Sequence, residues 1–299
     1  MSFDLNTLTN TIADHGVVVR VVLVQVKGSA PRDIGTAMLV WADGQDGTIG
    51  GGTLEFEAAA RARQMIETGT DRQGRTVALG PDMGQCCGGA VTLLWERFEA
   101  ATLPENFPYV RPVMAAGDRP AFGRHPGYSA GWFAEDRVQP DRAIWIYGAG
   151  HVGRAIVDVL APLPDLTLTW VDTGADRFPS DVPNGVDVLV ATDPTQAVRH
   201  APDHAEHLVL TYSHDLDLGL CHAILSQPFG SAGLIGSATK WARFRKRLAG
   251  LGHAPVQINR ILCPIGAPEL GKHPQAIAIG VAADIVKGAH RTVRLGELG

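Results

Sequence analysis

Six residues at the centre of the chain have the spacing of a phosphate-binding turn. The run Gly148-Ala149-Gly150-His151-Val152-Gly153 follows the apolar residues Ile144-Trp145-Ile146-Tyr147, and an acidic residue comes 19 residues after the last glycine. In such a turn the first glycine permits the tight bend, the second lets a pyrophosphate approach, and the third lets the helix pack on the strand. The acidic residue can bind a ribose hydroxyl. The pattern therefore predicts a cofactor-binding site, with NAD as one candidate ligand, formed by Gly148, Gly150, Gly153 and Asp172.

A second candidate site is the segment Leu79–Gly89, in which Gln85, Cys86 and Cys87 stand between glycines. Glycine lets the backbone approach a ligand closely, the Gln85 amide both donates and accepts, and thiolates suit a soft metal or sulfur transfer. Side chains of adjacent residues in an extended chain point to opposite faces, so one functional thiol is favoured over two. The alternative is that both cysteines are small buried apolar residues.

Two further features could bind a phosphate. The run Gly50-Gly51-Gly52 precedes a predicted helix, whose positive end and backbone N–H groups attract anions. Glu55 and Glu57 in the first turn argue against a free anion there, because they already occupy the positive end. Arg32 lies on a loop that leaves a strand and could pair with a phosphate, although a solvated arginine is the simpler interpretation.

The remaining polar clusters lie near predicted strand ends in the second half of the chain. Ser213-His214-Asp215 and Gly236–Lys240 fall where open α/β sheets bind ligands. Neighbouring His and Asp residues are weak evidence for acid-base chemistry, because adjacency in sequence is not hydrogen-bond geometry. The basic run Lys240–Arg247 is typical of a solvated helix face. Cys221 and Cys263 have apolar neighbours and are interpreted as buried apolar residues.

These residues must be positioned by two different sets of elements. In the first part the sequence predicts strands at Val17–Val26, Ala37–Trp41 and Ala90–Trp95, and a helix at Leu54–Glu67. Prolines recur from Phe98 to Arg142 with little periodicity, which indicates a linker. Later residues alternate strand and helix patterns, which implies a parallel sheet, and a long helix over Pro274–Val286, rich in small and apolar residues, is expected to pack on it. The fold class is therefore α/β: an N-terminal α/β domain at 1–100, a Pro/Gly-rich linker at 101–142, and a Rossmann-like domain at 143–299.

Composition limits the classes of function. The 299 residues suffice for two domains, and the hydrophobic fraction of 45% with 19% charged residues is ordinary for a folded soluble protein. A net charge of −5 argues against a nucleic-acid partner. Neither a signal sequence nor an apolar run of membrane-spanning length is recognisable, so we expect a cytoplasmic protein with no membrane association. Four cysteines are too few for a disulfide framework.

Taken together, several of these motifs resemble the XdhC/CoxI family, the xanthine dehydrogenase accessory factors. The resemblance covers nearly the whole chain, and its most specific part is the Gln85-Cys86-Cys87-Gly88-Gly89 block. The other matching segments are Gly28–Arg32, Gly47–Glu55, Leu79–Gly84, Ile146–Gly153, Ile235–Ser237 and Cys263–Gly266. Many relatives of the CoxI type carry Cys where this sequence has Thr53, so any thiol role at that position is absent here.

The resemblance implies a chaperone for the molybdenum cofactor (molybdopterin) rather than a catalyst. Such a protein binds the cofactor, supports replacement of a terminal oxo group by sulfido together with a cysteine desulfurase, and delivers the cofactor to apo-dehydrogenase. The implied partners are the cofactor-binding subunit of xanthine dehydrogenase, the desulfurase and molybdenum cofactor biosynthesis proteins; a homodimer is left open. By this reading Cys86 and Cys87 lie at the molybdenum end with Gln85, and Gly50, Gly51, Gly52 and Arg32 contact the phosphate.

Two alternatives belong to other classes. The glycine turn with Asp172 also fits an NAD-dependent oxidoreductase, in which His214 would be a conceivable proton donor. A purely structural interaction module would bind neither ligand. Retention of molybdenum cofactor and binding of NADH distinguish the three.

Overall fold

The computed structural model describes residues 3–30, 32–79, 89–114, 117–123, 125–138 and 140–288. The chain forms two compact units, Met1–Val138 and Gln139–Gly299. Among the residues that the model describes, no helix is long and apolar enough to cross a membrane.

The first unit combines helices with antiparallel sheets. Its elements in chain order are α1 (Leu5–His15), β1 (Val18–Lys27), β2 (Ala37–Val40), β3 (Gln45–Gly47), α2 (Gly52–Thr68), β4 (Arg72–Ala78), β5 (Ala90–Phe98), β6 (Tyr109–Pro112), β7 (Gly127–Ser129) and β8 (Trp132–Glu135). Five strands form one sheet in the order β3-β2-β1-β5-β4. The β-branched residues of β1 make it the central strand, buried on both faces.

Each face of this sheet packs against a different layer. Leu54, Ala58 and Met65 of α2 pack on one face, against a cluster that includes Val21 and Leu93. On the opposite face, a cluster joins Val22, Val24 and Leu94 of the sheet to Val113 and Phe133 near the three-stranded sheet β6-β8-β7. The unit is therefore built in layers, with β1 and β5 at its centre.

The structure differs from the linker predicted over 101–142. Residues 109–135 contain β6, β7 and β8, and the division between units falls after Val138. The prolines do not prevent a sheet, because Pro112 ends β6, which is an edge strand where a missing N–H is tolerated. Ion pairs also join the three-stranded sheet to the five-stranded sheet. Glu135 of β8 pairs with Arg20 of β1, and Arg111 of β6 pairs with Glu96 of β5. These four residues are at most 3% exposed.

The second unit is a doubly wound α/β fold. Its elements are β9 (Arg142–Tyr147), α3 (His151–Leu160), β10 (Leu166–Asp172), β11 (Val186–Val190), α4 (Pro194–Ala197), β12 (Glu206–Val209), α5 (His214–Leu225), β13 (Ser231–Leu234), α6 (Ala238–Gly250), α7 (Pro255–Ile258), β14 (Ile261–Leu262) and α8 (Pro274–Lys287). All six strands are parallel and lie in the order β11-β10-β9-β12-β13-β14. This is the dinucleotide-binding order, which confirms the predicted Rossmann-like fold.

Helices cover both faces of the parallel sheet. On one face, Ile156 of α3 packs with Val281 and Ile285 of α8, as expected for a final helix made of small and apolar residues. On the other face, α5 and α6 enclose a second core. At the amino end of the sheet, Arg142 forms a bidentate ion pair with Glu206 and donates a hydrogen bond of 2.8 Å to the carbonyl of Ile285. One guanidinium thus joins β9, β12 and α8.

Candidate functional site

Successive strands are added to one side of β9 as far as β11, and then to its other side from β12 onward. A cleft lies between β9 and β12, at the carboxyl end of the sheet. Its volume is about 760 Å³, within the usual range for small-molecule sites. Thirteen residues line it: Gly148, Ala149, Gly150, His151, Val152, Arg154, Asp172, Asp176, Arg177, Leu210, Thr211, Tyr212 and Ile235. The cleft therefore brings together three of the residues that were predicted to form one site, Gly148, Gly150 and Asp172. Gly153 lies behind them, at the start of the buried face of α3.

Two of the three motif glycines are required by the fold. Gly148 has φ +119°, and a Cβ there would overlap the carbonyl of Leu210 on the neighbouring strand. At Gly153 a Cβ would overlap the carbonyl of Gly148, so glycine is what lets α3 approach the end of β9. The Trp170 indole N–H also donates to that carbonyl, at 3.1 Å. The turn is consequently fixed from several sides.

The N-terminus of α3 opens on the cleft. Gly150 is its N-cap, and in the described part of the chain it receives no side-chain cap, nor does the first turn hold an acidic residue. The first N–H groups of a helix have no partner within the helix. These donors, with the helix dipole, are a suitable environment for an anion.

Asp172 is turned toward the protein backbone. Its Oδ2 accepts from the N–H of Ala149 at 2.6 Å, and its Oδ1 accepts from the N–H of Thr173 at 2.6 Å and from the Thr173 hydroxyl at 3.1 Å. The residue is only 7% exposed. In this arrangement Asp172 holds the glycine turn against the end of β10, and both of its oxygens are already engaged.

Arginines and an exposed aromatic ring complete the cleft. Arg154 on α3 donates to the carbonyls of Ala149, at 3.1 Å, and Arg177, at 2.8 Å. The Arg177 guanidinium lies 4.6 Å from the ring centroid of Tyr212, which is 69% exposed. Tyr212 follows β12 and Arg177 follows β10, so the pair joins the two sides of the cleft. Neither residue was predicted from the sequence, although both come within five residues of the end of a strand.

The polar clusters beside the cleft have structural partners. Ser213 caps α5, His214 lies edge-on against the Phe244 ring, and Asp215 pairs at the surface with Arg247. This arrangement does not support a role for His214 as the proton donor of an oxidoreductase.

One residue of the basic run does not have the solvated position that was predicted. Lys240 is turned inward, where its Nζ contacts the fully buried carboxylate of Asp217 and donates to the carbonyl of Ile235 at 2.9 Å. Asp217 also accepts from the N–H and the hydroxyl of Thr211, at 3.0 and 2.7 Å. The loop that carries Tyr212 is thereby anchored.

The two described cysteines are not activated thiols. Burial raises the pKa of Cys221 above its ordinary value, and burial raises the pKa of Cys263 to about 11. A thiol with a raised pKa holds little thiolate at neutral pH. Their interpretation as apolar residues fits this environment. Within the described ranges no group of three or more His, Cys, Asp or Glu side chains could hold a metal ion.

The three-glycine turn in the first unit already holds a carboxylate. Glu55 accepts from the N–H groups of Ile49 and Gly51, at 3.1 and 3.0 Å, and from the hydroxyl of Thr48. Partial burial would raise the pKa of Glu55, but these hydrogen bonds outweigh it and lower the pKa. This geometry supports the objection to a free phosphate at Gly50, Gly51 and Gly52. The carboxylate of Glu55 already accepts from one of the three N–H groups, that of Gly51. Gly52 begins α2.

The remaining ligand contacts predicted in the first unit are those of Arg32 and of the Gln85-Cys86-Cys87 segment. Arg32 is exposed. Gln85, Cys86 and Cys87 lie outside the described residues, which stop at Leu79 and resume at Gly89.

Comparisons with known proteins match both units. The model of the XdhC and CoxI family matches residues 12–79, and the model of the XdhC Rossmann domain matches residues 144–285. The chain is 26% identical over 285 residues to the molybdenum cofactor insertion chaperone PaoD of Escherichia coli (strain K12), covering 89% of this chain and 82% of PaoD.

Two further similarities complete the comparison. The chain is 27% identical over 270 residues, 89% of its own length, to the uncharacterized protein YqeB of the same strain, but it spans only 42% of YqeB. The crystal structure of a xanthine dehydrogenase from Bacillus halodurans superposes with a TM-score of 0.71 at 17% identity, covering 99% of this chain and 98% of that one. At this identity the last similarity is one of fold.

Proposed function

We propose, from the premise that this chain belongs to the XdhC and CoxI family, that it is a chaperone that binds the molybdenum cofactor and delivers it to a molybdenum enzyme. The observation that carries the proposal is the similarity along 89% of the chain to a protein named as a molybdenum cofactor insertion chaperone. The role is that of an accessory protein and not of a catalyst.

The cleft of the second unit suits a ligand of this class. Its cationic side chains and the uncapped start of α3 are complementary to a phosphate, and its exposed tyrosine ring is complementary to a flat heterocycle such as a pterin. In this proposal Gly148, Gly150 and Gly153 shape the phosphate end of the site, and Asp172 holds their turn in place.

The first unit carries a separate candidate site, proposed for the molybdenum of the cofactor independently of the cleft. Cys86 and Cys87 would provide the soft ligand for molybdenum, with the Gln85 amide near an oxo or sulfido group. Arg32 and the Gly50–Gly52 turn are retained as weaker candidates, because Glu55 competes with any anion at that turn.

The finer steps follow from the same role. The chaperone would hold the cofactor while a cysteine desulfurase supplies the sulfido sulfur, and would then transfer it to the cofactor-binding subunit of apo xanthine dehydrogenase. Pull-down of each protein with the purified chain, in the presence and absence of cofactor, measures these contacts. We expect the dehydrogenase subunit to bind more strongly when the cofactor is present.

Cofactor retention tests the central claim. The full chain is incubated with molybdenum cofactor, separated by gel filtration, and its molybdenum and pterin contents are measured. We expect retention by the native chain, loss in Cys86→Ser or in Cys87→Ser, and retention in Cys263→Ser, a control at a partly buried thiol with a raised pKa. Absence of both molybdenum and pterin from the native chain would refute the proposal.

The alternative is an NAD-dependent oxidoreductase, which the strand order and the cleft favour. Hydride transfer also needs a proton donor, and His214 packs edge-on against Phe244. Substrate turnover coupled to NADH oxidation would support the enzyme. NADH binding without turnover would agree with a nucleotide site on an accessory protein.

A further inference from the structure

The parallel sheet of the second unit has an open edge at β11. In the described part of the chain this strand pairs only with β10, and it is the first in the order β11-β10-β9-β12-β13-β14. The N–H of Ala191 donates to the carbonyl of Asp172 at 2.9 Å, so residues 187, 189 and 191 direct their backbone groups toward β10. The alternate residues Val188 and Val190 therefore direct their N–H and C=O groups outward, where no described residue pairs with them.

Apolar side chains lie along this edge. Val188 and Val190 are 43% and 47% exposed, and neither belongs to a core cluster of the second unit. Proteins usually protect an exposed edge with lysine, proline, a bulge or a covering segment. The sequence of β11 contains neither lysine nor proline, its register with β10 has no bulge, and its one charged residue is Asp187. The edge is thus suited to pairing with another strand.

Charge limits how two copies of β11 can pair. In an antiparallel pair of identical strands, the twofold axis passes beside one residue, which then lies opposite itself. An axis at Asp187 would place the two Asp187 carboxylates opposite each other, and an axis at Val190 would place Asp187 opposite Asp193. Like charges directly opposite destabilise a sheet. Both of these registers are therefore disfavoured.

Backbone conformation excludes a third register. An axis at Val186 would extend the pairing through Gly185, whose φ of +81° does not occur in a strand. The registers that remain have their axes at Val188 and at Leu189.

The free backbone groups favour the axis at Leu189. In that register Val188 lies opposite Val190 of the second copy, and each such pair exchanges two N–H···O=C hydrogen bonds, so every outward group of these two valines has a partner. With the axis at Val188, Val190 would instead face Val186, whose N–H already donates to the carbonyl of Pro183 at 3.3 Å.

The side chains agree with the axis at Leu189. The two Leu189 side chains lie opposite each other on one face, and Val188 lies against Val190 of the second copy on the other face. Asp187 lies opposite Ala191 at the end of the pairing. The two Asp187 residues are then about 14 Å apart, which exceeds the screening length of about 8 Å in physiological salt. All of the central pairs are apolar.

We propose that a second copy of this chain adds its β11 to this edge, antiparallel and about a twofold axis at Leu189, so that two six-stranded sheets form one sheet of twelve strands. The contact is closed by its symmetry, which gives a dimer and not a fibre. This inference goes beyond the proposed function and does not rest on it, because none of the residues that line the cleft belongs to β11.

Sedimentation equilibrium of the full chain over a range of protein concentrations tests the interface. We expect the native chain to form a reversible dimer. The double variant Val188→Lys, Val190→Lys places lysine opposite lysine and should weaken the dimer by about tenfold or more. Val256→Lys, at a 74% exposed valine of α7, is the control and should dimerise as the native chain does.

Mixing charge variants shows that a loss of dimer is not a loss of fold. The double variant Val188→Glu, Val190→Glu should also be a weak dimer by itself. An equimolar mixture of the two double variants should form heterodimers, because lysine then lies opposite glutamate. Misfolded chains would not recover in this way.

Cysteine cross-linking tests the position of the axis. In the proposed register the two Leu189 residues form a pair without hydrogen bonds, in which the Cα atoms are about 4.5 Å apart and within disulfide range. Leu189→Cys should therefore form a covalent dimer under mild oxidation. Val188→Cys and Val190→Cys should not form one separately, but a mixture of these two variants should. The native chain under the same oxidant gives the baseline from its own cysteines.

Three results would overturn the inference. A native chain that stays monomeric up to millimolar concentration would leave the edge to a strand of a different protein. A dimer that the two lysines do not weaken would have its interface elsewhere. Cross-linking of Val188→Cys by itself, without Leu189→Cys, would move the axis away from Leu189. Cofactor retention is measured separately, so failure of either proposal leaves the other standing.

Discussion

At the scale of single residues, the carboxylates of Asp172 and Glu55 are oriented by backbone N–H groups that need an acceptor. Both residues lie beside a candidate ligand site in the sequence, and both accept from the backbone of a glycine turn. The sequence indicates that an acid lies near each turn. It does not indicate whether a carboxylate faces the turn or the ligand, because both arrangements satisfy its oxygens.

Asp172→Asn should destabilise the second unit by about 1–3 kcal/mol, because the amide has one acceptor oxygen where the carboxylate has two. One of the N–H groups of Ala149 and Thr173 then faces an NH₂ group. Chemical denaturation measures the change. Asp176→Asn, an exposed acid from the same cleft, is the control and should be nearly neutral; equal stability of the two variants would contradict this role of Asp172.

His207 predicts a dependence of stability on pH. Burial lowers the pKa of His207 to about 4, and its Nδ1 contacts the Tyr147 hydroxyl at 3.1 Å. The unfolded chain takes up a proton below about pH 6.5, while the folded chain keeps the ring neutral until about pH 4, so stability is full above this window and falls as pH decreases. The loss across it should be about 3 kcal/mol.

Denaturant titrations at pH values through this window test the dependence. His207→Gln should reduce the slope of unfolding free energy against pH, and His204→Gln, with an exposed ring, should leave it unchanged. A slope in His207→Gln equal to that of the native chain would assign the dependence to another group.

At the scale of elements, the strands and helices with local signals were predictable and the small sheet was not. Strand-helix alternation and the glycine motif are local patterns, and they predict the parallel sheet, which the structure has with six strands. The strands β6, β7 and β8 have three or four residues each and lie among prolines, so their local pattern is weak. They are specified instead by distant partners, such as Arg20 for Glu135, which are 115 positions apart in the sequence.

Breaking this charge network should destabilise the first unit. Burial would raise the pKa of Glu135, but Arg20 and Arg111 outweigh it and lower the pKa, so the carboxylate is charged at neutral pH. Glu135→Gln leaves the two buried guanidinium groups undercompensated, at a cost of about 3 kcal/mol or more. Urea denaturation measures the loss, with the exposed Glu105→Gln as the control. A change below that of the control would show that the network is not stabilising.

The same network adds a second contribution to the pH dependence of stability, with the same sign as that of His207. Because the pKa of Glu135 is lowered in the folded state, its stabilisation is present at neutral pH and is lost as pH falls below the ordinary glutamate range. This loss should be absent in Glu135→Gln.

At the scale of the whole molecule, the chain consists of two units with separate cores. The clusters around β1 and around β9 share no residues. The predicted count of two domains agrees with the two compact units, although the boundary follows Val138 and no long linker separates them. The sequence could not reveal this boundary, because residues 109–135 join the first unit through contacts remote in sequence.

Separate cores predict separate unfolding. Scanning calorimetry of the full chain should show two transitions; Glu135→Gln should lower one of them and Asp172→Asn the other. A single transition shifted by both variants would mean that the two units unfold as one.

The guanidinium of Arg142 limits how the polypeptide can be shortened. It connects the first strand of the second unit to Glu206 and to the carbonyl of Ile285, in the last turn of α8. The last helix also covers Ile156 and Leu160, which are fully buried. A chain cut before Pro274 would expose that apolar surface and free one of the partners of Arg142, so the shortest fragment that folds as the second unit must extend through α8.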